Sequence, residues 1–243
     1  MRTIRYREIA AALRTRVEGG EFAAGRLLPS EAALSREYSA SRVTVRKALE
    51  ELRSEGLVEA HQGLGWFAAG DPLRQRLARL GTIEAQLEAS GIRSERQILE
   101  LRQVPAPAHV RRVLGTDRVV RLVRRNLADG APFARVTVWC RPELGAHLTR
   151  EQLTDHSFYE LLDVPLGHAV QTIAARAASA GDAELLDVPV GAPVLVCERT
   201  TFDADGQAVL FATYVFPGHL TEFSVDLPRM ERSIAPSGLR LVE

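Results

Sequence analysis

The sequence lacks the features that define most metal, redox and membrane proteins. It has only two cysteines in 243 residues, Cys140 and Cys197, and their spacing fits no metal or redox motif. We therefore interpret both as reduced, buried thiols. The six histidines form no ligand pair at helical spacing, so we expect neither a metal site nor a cofactor. No run approaches the roughly eighteen apolar residues of a membrane span, and the arginine-rich start has no apolar signal core behind it. We expect a cytoplasmic protein with no membrane partner.

An excess of one charge is also missing. The chain has 31 Lys and Arg against 31 Asp and Glu, so its formal net charge is zero. An apolar fraction of 46% and a charged fraction of 26% are typical of a packed globular protein rather than a disordered one. A neutral sum does not decide whether a protein binds nucleic acid, because the position of its basic residues matters more.

Residues 1–70 have the pattern of a winged helix-turn-helix domain. Apolar residues at helical spacing predict a first helix that ends at Gly19-Gly20, and Ser30 and Ser41 are the N-caps of two further helices. Two strands, at residues 57–60 and 66–68, flank a turn at residues 62–65. The buried faces of the first and third helices consist of Tyr6, Ile9, Leu13 and Val17, and of Val45, Ala48, Leu49 and Leu52.

The third helix carries its basic residues away from this buried face. Arg42 and Arg46 are four residues apart, so they stack along one side and could reach successive base pairs in a major groove. Thr44 suits a phosphate or a base edge, and Gly63 would let the backbone of the wing approach DNA closely. The alternative is an ordinary solvated helix face. The candidate DNA-contacting residues are Ser41, Arg42, Thr44, Arg46, Lys47, Gln62 and Gly63.

Residues 6–68 resemble the DNA-binding domain of the GntR-type bacterial transcription regulators. The resemblance rests on Leu28-Pro29-Ser30-Glu31, on the block from Ser41 to Leu49, and on Glu55-Gly56-Leu57-Val58. It implies that Ser41, Arg42, Thr44, Arg46 and the wing tip at Gln62-Gly63 sit at DNA-contacting positions. This chain departs from the pattern at the wing, where Leu64 and Trp66 replace a common basic residue and a small hydroxyl residue, and at Ala32, where some relatives carry a contacting arginine. We therefore expect specificity to depend on the third helix more than on the wing.

The rest of the chain predicts an α+β domain built on an antiparallel sheet. Residues 71–91 are interpreted as a linker with a helical segment, residues 92–228 as the second domain, and residues 229–243 as a tail. Asp129-Gly130 is a strong hairpin signal. Predicted strands cover 98–104, 118–128, 132–140, 170–177, 194–202, 208–216 and 222–227, and predicted helices cover 108–114, 158–163 and 183–187.

The second domain contains residues that could bind an anion. Ser157 would cap the helix that begins at Phe158, so its hydroxyl and the amides of Phe158 and Tyr159 could hold an anion. Arg124 and Arg176, on two predicted strands, could complete the site with charge-assisted hydrogen bonds. The alternatives are a plain helix cap and surface arginines. Tyr159 and Tyr214 are candidates for the same site, although tyrosines are more often core or interface residues.

Residues 97–227 look like the effector-binding UTRA domain of the HutC branch of the GntR family. The matching pieces include Asp129-Gly130-Ala131-Pro132, Ser157-Phe158-Tyr159 and Cys197-Glu198-Arg199-Thr200. The resemblance implies a fold similar to chorismate lyase that binds a small acidic metabolite without transforming it, with Arg124, Ser157 and Tyr159 on the acidic or phosphorylated group. Asn126 and Val136 depart from the sugar-phosphate-sensing relatives, and the pattern looks closest to regulators of phosphonate or phosphate uptake.

These features predict a ligand-responsive transcription regulator, most simply a repressor, and not an enzyme. A homodimer formed through the sensor-domain sheet would place two recognition helices about 34 Å apart on palindromic double-stranded operator DNA. Two alternatives remain at this point. One is a lyase-type enzyme with an accessory DNA-binding domain, and the other is an architectural DNA binder that needs no effector.

Overall fold

The structure is a computed structural model that describes residues 2–22, 25–70, 73–76 and 92–225. The helices are α1 (Arg2–Glu18), α2 (Glu31–Glu37), α3 (Arg42–Ser54), α4 (Ala108–Leu114), α5 (Pro142–Gly145), α6 (Arg150–Asp155), α7 (Phe158–Leu161) and α8 (Ala180–Leu186), with a 3₁₀ turn at Gly218–Leu220. The strands are β1 (Val58–His61), β2 (Gly65–Ala68), β3 (Leu73–Arg76), β4 (Ser94–Pro105), β5 (Arg118–Ala128), β6 (Ala131–Cys140), β7 (Leu166–Ala177), β8 (Pro193–Asp203), β9 (Ala208–Pro217) and β10 (Thr221–Ser224). No helix in these ranges is long and apolar enough to cross a membrane.

The N-terminal domain is a winged helix-turn-helix, as the sequence predicts. The apolar faces of α1 and α3 meet in one core with Leu34 of α2, because residues three and four positions apart fall on one side of a helix. Strands β1 and β2 form the antiparallel wing, and a bridge between Leu27 and Phe67 ties its second strand to the segment before α2.

Side-chain caps fix where α2 and α3 begin. The hydroxyl of Ser30 accepts a hydrogen bond from the Ala33 amide at 3.2 Å, and the hydroxyl of Ser41 accepts one from the Thr44 amide at 3.2 Å. Ser39, in the turn between the two helices, has a positive φ of 48°. The caps and the turn hold α3 at a defined angle to α2, so the orientation of α3 is set locally.

The C-terminal domain is built on one six-stranded antiparallel sheet with the strand order β4-β5-β6-β9-β8-β7. The predicted hairpin between β5 and β6 is confirmed, because Asp129 and Gly130 both have positive φ, as a tight two-residue turn requires. The predicted α+β fold class is therefore confirmed: a winged helix-turn-helix domain is followed by a domain built on an antiparallel sheet.

The two faces of this sheet are covered by different helices. The Arg124 face carries Leu122, Arg124 and Val136, and it packs against Leu153 of α6 and Phe158 of α7. The opposite face, which we call the Asp182 face, packs against α4 at one end and α8 at the other. Successive residues of a strand alternate between these faces, so the position of a residue along its strand decides which set of helices it meets.

Some predicted elements differ from the structure. The segment Leu73–Arg76, predicted as part of a helical linker, is a strand that pairs in parallel with β10. The remainder of that linker and the predicted tail lie outside the described residues. Helices α5 and α6 were not predicted, because helices of four and six residues show too little apolar periodicity to be recognised.

Candidate nucleic-acid interface and anion site

The exposed side of α3 carries the basic residues that the sequence analysis singled out. Arg42 and Lys47 are exposed, and the Arg46 side chain is 67% exposed. The Lys47 ammonium lies 4.4 Å from the centre of the Tyr6 ring, a cation–π contact that anchors it beside α1. Arg42 and Arg46 therefore form an accessible cationic surface at the N-terminal half of the helix.

The hydroxyl groups at the start of α3 form hydrogen bonds within the helix N-terminus. Ser41 and Thr44 share a hydrogen bond of 2.8 Å between their side-chain oxygens, and Ser41 also caps the Thr44 amide. Ser41 is exposed and Thr44 is half-buried. Ser41 directly precedes Arg42 and Thr44 follows it by two residues, so both hydroxyl groups lie at the N-terminus of α3.

Arg46 faces a carboxylate that is also held by the wing. Its Nε lies 3.8 Å from Oε1 of Glu31, the first residue of α2. The same oxygen accepts a 3.1 Å hydrogen bond from Nε1 of Trp66 in β2. Trp66 is buried in the core of the domain, so the expectation that it packs rather than contacting DNA agrees with its position.

The wing tip is turned toward the C-terminal domain. Gln62 and Gly63 are exposed in the turn, where Gly63 has a φ of 77°. Leu64 is half-buried and packs against an apolar cluster that includes Leu186 and Val194 of the second domain. In this arrangement the residue that replaces the common basic wing residue makes an apolar contact with the protein itself.

Further contacts join the two domains beside the wing. The imidazole of His219 packs on the Phe67 ring with a centroid distance of 4.3 Å, and its Nε2 lies 3.2 Å from the Gly25 carbonyl oxygen. Burial lowers the pKa of His219, so the ring favours its neutral form. Arg26 and Asp187 form an ion pair of 3.0 Å across the same junction.

On the Arg124 face, one row of paired residues crosses the sheet. Arg124 pairs with Val136, Val136 with Tyr214, and Tyr214 with Cys197. Paired residues point to the same face, so Arg124 and Tyr214 share one side of the sheet. Arg124 is only 6% exposed, and its charge acts on the Tyr214 hydroxyl.

A second arginine completes this cluster. The Arg199 guanidinium lies 5.2 Å from the centre of the Tyr214 ring and donates a 3.4 Å hydrogen bond to the Tyr159 hydroxyl. The Tyr159 hydroxyl is also 3.3 Å from the Thr201 hydroxyl. Burial raises the pKa of Tyr214, and the neighbouring Tyr159 adds to this, so Tyr214 remains a neutral hydrogen-bonding group. Two cationic side chains and three hydroxyl groups thus meet under α7.

Ser157 lies at the start of α7 as predicted, but its cap is already paired with an acidic residue. The Ser157 hydroxyl accepts from the Glu160 amide at 3.3 Å, and the Ser157 amide donates to the Glu160 carboxylate at 2.7 Å. This capping box lowers the pKa of Glu160, which keeps a negative charge at the helix start. Phe158 is buried in the core, so its side chain serves packing. Any anion here would depend on the arginines more than on the helix amides.

Arg176 does not join this cluster. It lies three residues beyond Ile173, the residue that pairs with Cys197, and an odd spacing places it on the Asp182 face. There its Nη1 donates a 2.7 Å hydrogen bond to Asp182, which also accepts one from Arg135 at 2.6 Å. This corrects the prediction that Arg124 and Arg176 complete one site.

Arg199 and Thr201 are the residues that the sequence analysis missed. Both lie at even spacing from Cys197 on β8, so strand alternation would have assigned them to the face of Tyr214 once the pairing was known. The even spacing of these residues was therefore visible in the sequence, but the register of β8 against β9, which is needed to assign them to a face, was not.

The cysteines take no part in either site. Both are buried, and burial raises the pKa of Cys140 and of Cys197 to about 12, so both remain thiols. Among the described residues, no group of three His, Cys, Asp or Glu side chains is placed to hold a metal ion.

Comparison with known proteins gives consistent matches to both domains. Residues 5–68 match the gntR family of bacterial regulatory proteins, and residues 89–221 match the UTRA domain. The chain is 32% identical to the HTH-type transcriptional regulator Rv0792c of Mycobacterium tuberculosis, over 97% of this chain and 89% of that protein. It is 27% identical to the HTH-type transcriptional repressor NagR of Bacillus subtilis, over 88% and 90% of the two chains. The crystal structure of PhnF from Mycobacterium smegmatis has the same fold, with a TM-score of 0.59 at 22% identity over 91% of this chain and 99% of that one.

Proposed function

Because the chain belongs to the GntR family of bacterial transcription regulators, in the branch that carries a UTRA domain, we propose that it is a homodimeric repressor controlled by a small anionic effector. Regulators of this family bind operator DNA through the N-terminal domain, and several relatives of this chain are named as repressors. We assign the residues that read the operator, the surface that forms the dimer and the chemical class of the effector. Such a repressor works in the cytoplasm, where its operator is.

The exposed cationic surface of α3 is the observation that carries the DNA-binding part. Arg42 and Arg46 are accessible on the same side of a helix whose other side is buried, so this side can enter a major groove without disturbing the core. An arginine can donate two hydrogen bonds to guanine, and we assign this role to Arg42 and Arg46. Ser41, Thr44 and Lys47 would contact phosphates.

The edge of the sensor sheet supports a dimer. Strand β7 is the outermost strand of the six-stranded sheet, and it is exposed over most of its length. Val170 is 54% exposed and Ile173 is 38% exposed, which leaves apolar side chains on an open strand edge. A second copy of the chain pairing here would cover that edge and would place the two recognition helices on a palindromic operator.

The cluster of Arg124, Tyr159, Arg199 and Tyr214 supports an anionic effector. Arg124 is buried and Arg199 is half-buried, so both lie in a low-dielectric setting, where charge-assisted hydrogen bonds to a phosphate, phosphonate or carboxylate group are stronger than at the surface. The hydroxyl groups of Tyr159 and Thr201 add donors beside them. We propose a phosphate or phosphonate group as the preferred ligand chemistry.

Control of DNA binding requires an effector that prefers one arrangement of the two domains. The contacts of Leu64, Phe67 and His219 hold the wing against the C-terminal domain. An effector that favours this arrangement would keep the wing away from a minor groove, whereas one that disfavours it would promote DNA binding.

The test is selection of bound DNA from a random pool by the full-length protein, with and without candidate effectors. The same effectors, namely phosphate, alkyl phosphonates, sugar phosphates and urocanate, are titrated by calorimetry. We expect enrichment of a palindromic sequence and a change in its affinity with an anionic compound. Binding of an uncharged ligand only would contradict the effector assignment. An enriched operator whose affinity no effector changes would instead favour an architectural DNA binder.

A further inference from the structure

Trp66, in the wing strand β2, donates a hydrogen bond to Glu31, which lies outside the wing in α2. Trp66 is 6% exposed, and its ring lies in the apolar core of the N-terminal domain. Its Nε1 nevertheless reaches out of that core to Oε1 of Glu31 at 3.1 Å. The same oxygen lies 3.8 Å from Nε of Arg46. Three elements of the domain, β2, α2 and α3, therefore meet at one carboxylate oxygen.

The geometry leaves the terminal nitrogens of Arg46 available. The closest approach to Glu31 is made by Nε, and among the described residues the Arg46 guanidinium makes no hydrogen bond. Its Nη1 and Nη2 atoms form the outer edge of the guanidinium, which can donate to two acceptors at once. A carboxylate on the Nε side attracts the guanidinium without a hydrogen bond, so it does not compete for the atoms that would read a base.

The arrangement reduces the entropy that Arg46 loses on binding DNA. A long arginine side chain gives up much rotamer freedom when it is fixed against a base, and a contact that restricts it beforehand lowers that loss. Glu31 can do this only if its own carboxylate is held. The Trp66 N–H holds it from a rigid, buried ring.

We propose that Trp66 is a positioning residue for operator reading, acting through Glu31 to orient the Arg46 guanidinium toward the base that it recognises. The proposal rests on the proposed function, because it requires that Arg46 reads a base. It gives the wing of this protein a second role, since a wing residue then contributes to specificity in the major groove without touching DNA.

The variant Trp66→Phe tests this because it keeps an aromatic ring in the core and removes the N–H donor, together with part of the indole volume. Trp139→Phe is the matched control. Trp139 is the only other tryptophan in the sequence and is 8% exposed in the C-terminal domain. Among the described residues, its Nε1 has no hydrogen-bond partner. Glu31→Gln removes the charge that faces Arg46 and provides an independent variant.

The measurement is the ratio of affinities for the selected operator and for a copy with one base pair replaced, at a single salt concentration. The replaced pair is the one at which Arg46→Ala loses discrimination. We expect Trp66→Phe and Glu31→Gln each to lower this ratio by about two- to fivefold, whereas Trp139→Phe leaves it unchanged. In the Arg46→Ala background, Trp66→Phe should cause no further loss.

A spectroscopic measurement separates positioning from simple loss of stability. In the Trp139→Phe protein, Trp66 is the only tryptophan, so its emission reports on the environment of its indole. This emission should be the same with and without Arg46→Ala, which would show that the loss of discrimination in that variant comes from the guanidinium and not from a disturbed core. A changed emission would show that Arg46→Ala disturbs the core.

The outcomes distinguish this inference from the proposed function. If the pool yields no enriched sequence, the proposed function fails and the inference fails with it. If an operator is enriched and Arg46→Ala loses discrimination while Trp66→Phe behaves like Trp139→Phe, the inference alone is wrong. An equal loss from Trp66→Phe with and without Arg46 would show a structural role only and would also overturn it.

Discussion

The two domains place their arginines in opposite settings. In the N-terminal domain the arginines assigned to DNA reading lie at the surface, and the Arg46 side chain is 67% exposed. In the C-terminal sheet Arg124 is 6% exposed, and Asp182 is buried between two arginines on the other face. A surface arginine can contribute to binding without contributing to folding. A buried charged group must be paired for the domain to fold, so its function and its stability are linked.

The largest expected effect is on the stability of the C-terminal domain. Burial disfavours the charge of Asp182, but hydrogen bonds from Arg176, Ser179 and Arg135 outweigh this and hold its pKa below the ordinary range. Asp182→Asn should therefore lower the free energy of unfolding by about 3 kcal/mol at neutral pH, measured by urea denaturation. Asp117→Asn, which disrupts an exposed ion pair with Arg111, should change it by less than about 0.5 kcal/mol.

The same residue predicts a pH dependence with a definite sign. Because the pKa of Asp182 is lower in the folded protein, its carboxylate stabilises the fold above the unfolded value of about 3.9. This stabilisation is lost as the pH falls through the lowered pKa. The difference between the wild-type protein and Asp182→Asn should therefore shrink below about pH 4. A constant difference across this range would contradict the assignment.

The next effect concerns DNA binding alone. Arg42→Ala and Arg46→Ala should each weaken operator binding by about 1–3 kcal/mol if the side chain reads a base, with little change in unfolding free energy, because both are exposed. Arg53→Ala, an exposed arginine at the far end of α3 paired with Glu50, is the control and should have a much smaller effect. A salt-controlled gel-shift assay with unchanged affinity for the first two variants would refute their role.

A smaller effect tests the assignment of the two faces of the sheet. Arg199→Lys keeps the charge but loses the forked donors, so it should weaken effector binding about tenfold in calorimetry. Arg176→Lys, a matched change on the Asp182 face, should leave effector affinity unaltered, since its partner there is Asp182. Equal losses from both variants would mean that the two faces do not act separately.

The smallest effect concerns the junction between the domains. Asp187→Asn removes the charge that pairs with Arg26, and asparagine tolerates the left-handed backbone at this position, where φ is 55°. The pair is half-exposed, so we expect an increase in operator affinity of only about two- to threefold as the N-terminal domain is released. Asp117→Asn again serves as the control in the same binding assay. A decrease in affinity would show that this arrangement favours DNA binding.

The difference between the domains also explains which parts of the structure were predictable. In the N-terminal domain Ser41, Arg42 and Arg46 lie within the first two turns of α3. The 3.6-residue period of a helix therefore predicts on which side of α3 each of them lies. The cap at Ser157 was predictable for the same reason, because its partner Glu160 is three residues away.

The cluster of Arg124, Tyr159, Arg199 and Tyr214 was only partly predictable, because its members come from helix α7 and from distant strands. Tyr159, Arg199 and Tyr214 meet only when β8 and β9 pair in their observed register. Arg176 was assigned to the wrong face because the register of its strand was unknown. It is an arginine on the strand next to β8, but its side chain points away from the cluster, since a shift of one residue along a strand reverses the direction of the side chain.

The sequence by itself determined the local features of this protein: helix caps, apolar periods, the tight turn at Asp129-Gly130 and the basic side of α3. These depend on residues a few positions apart, so short-range sterics and hydrogen bonds are sufficient to specify them. The tertiary structure alone decided that Arg199 joins Arg124, that Arg176 pairs with Asp182, and that Trp66 and Arg46 meet at Glu31. Those contacts depend on strand register and on the packing of distant elements, which the order of the residues does not reveal.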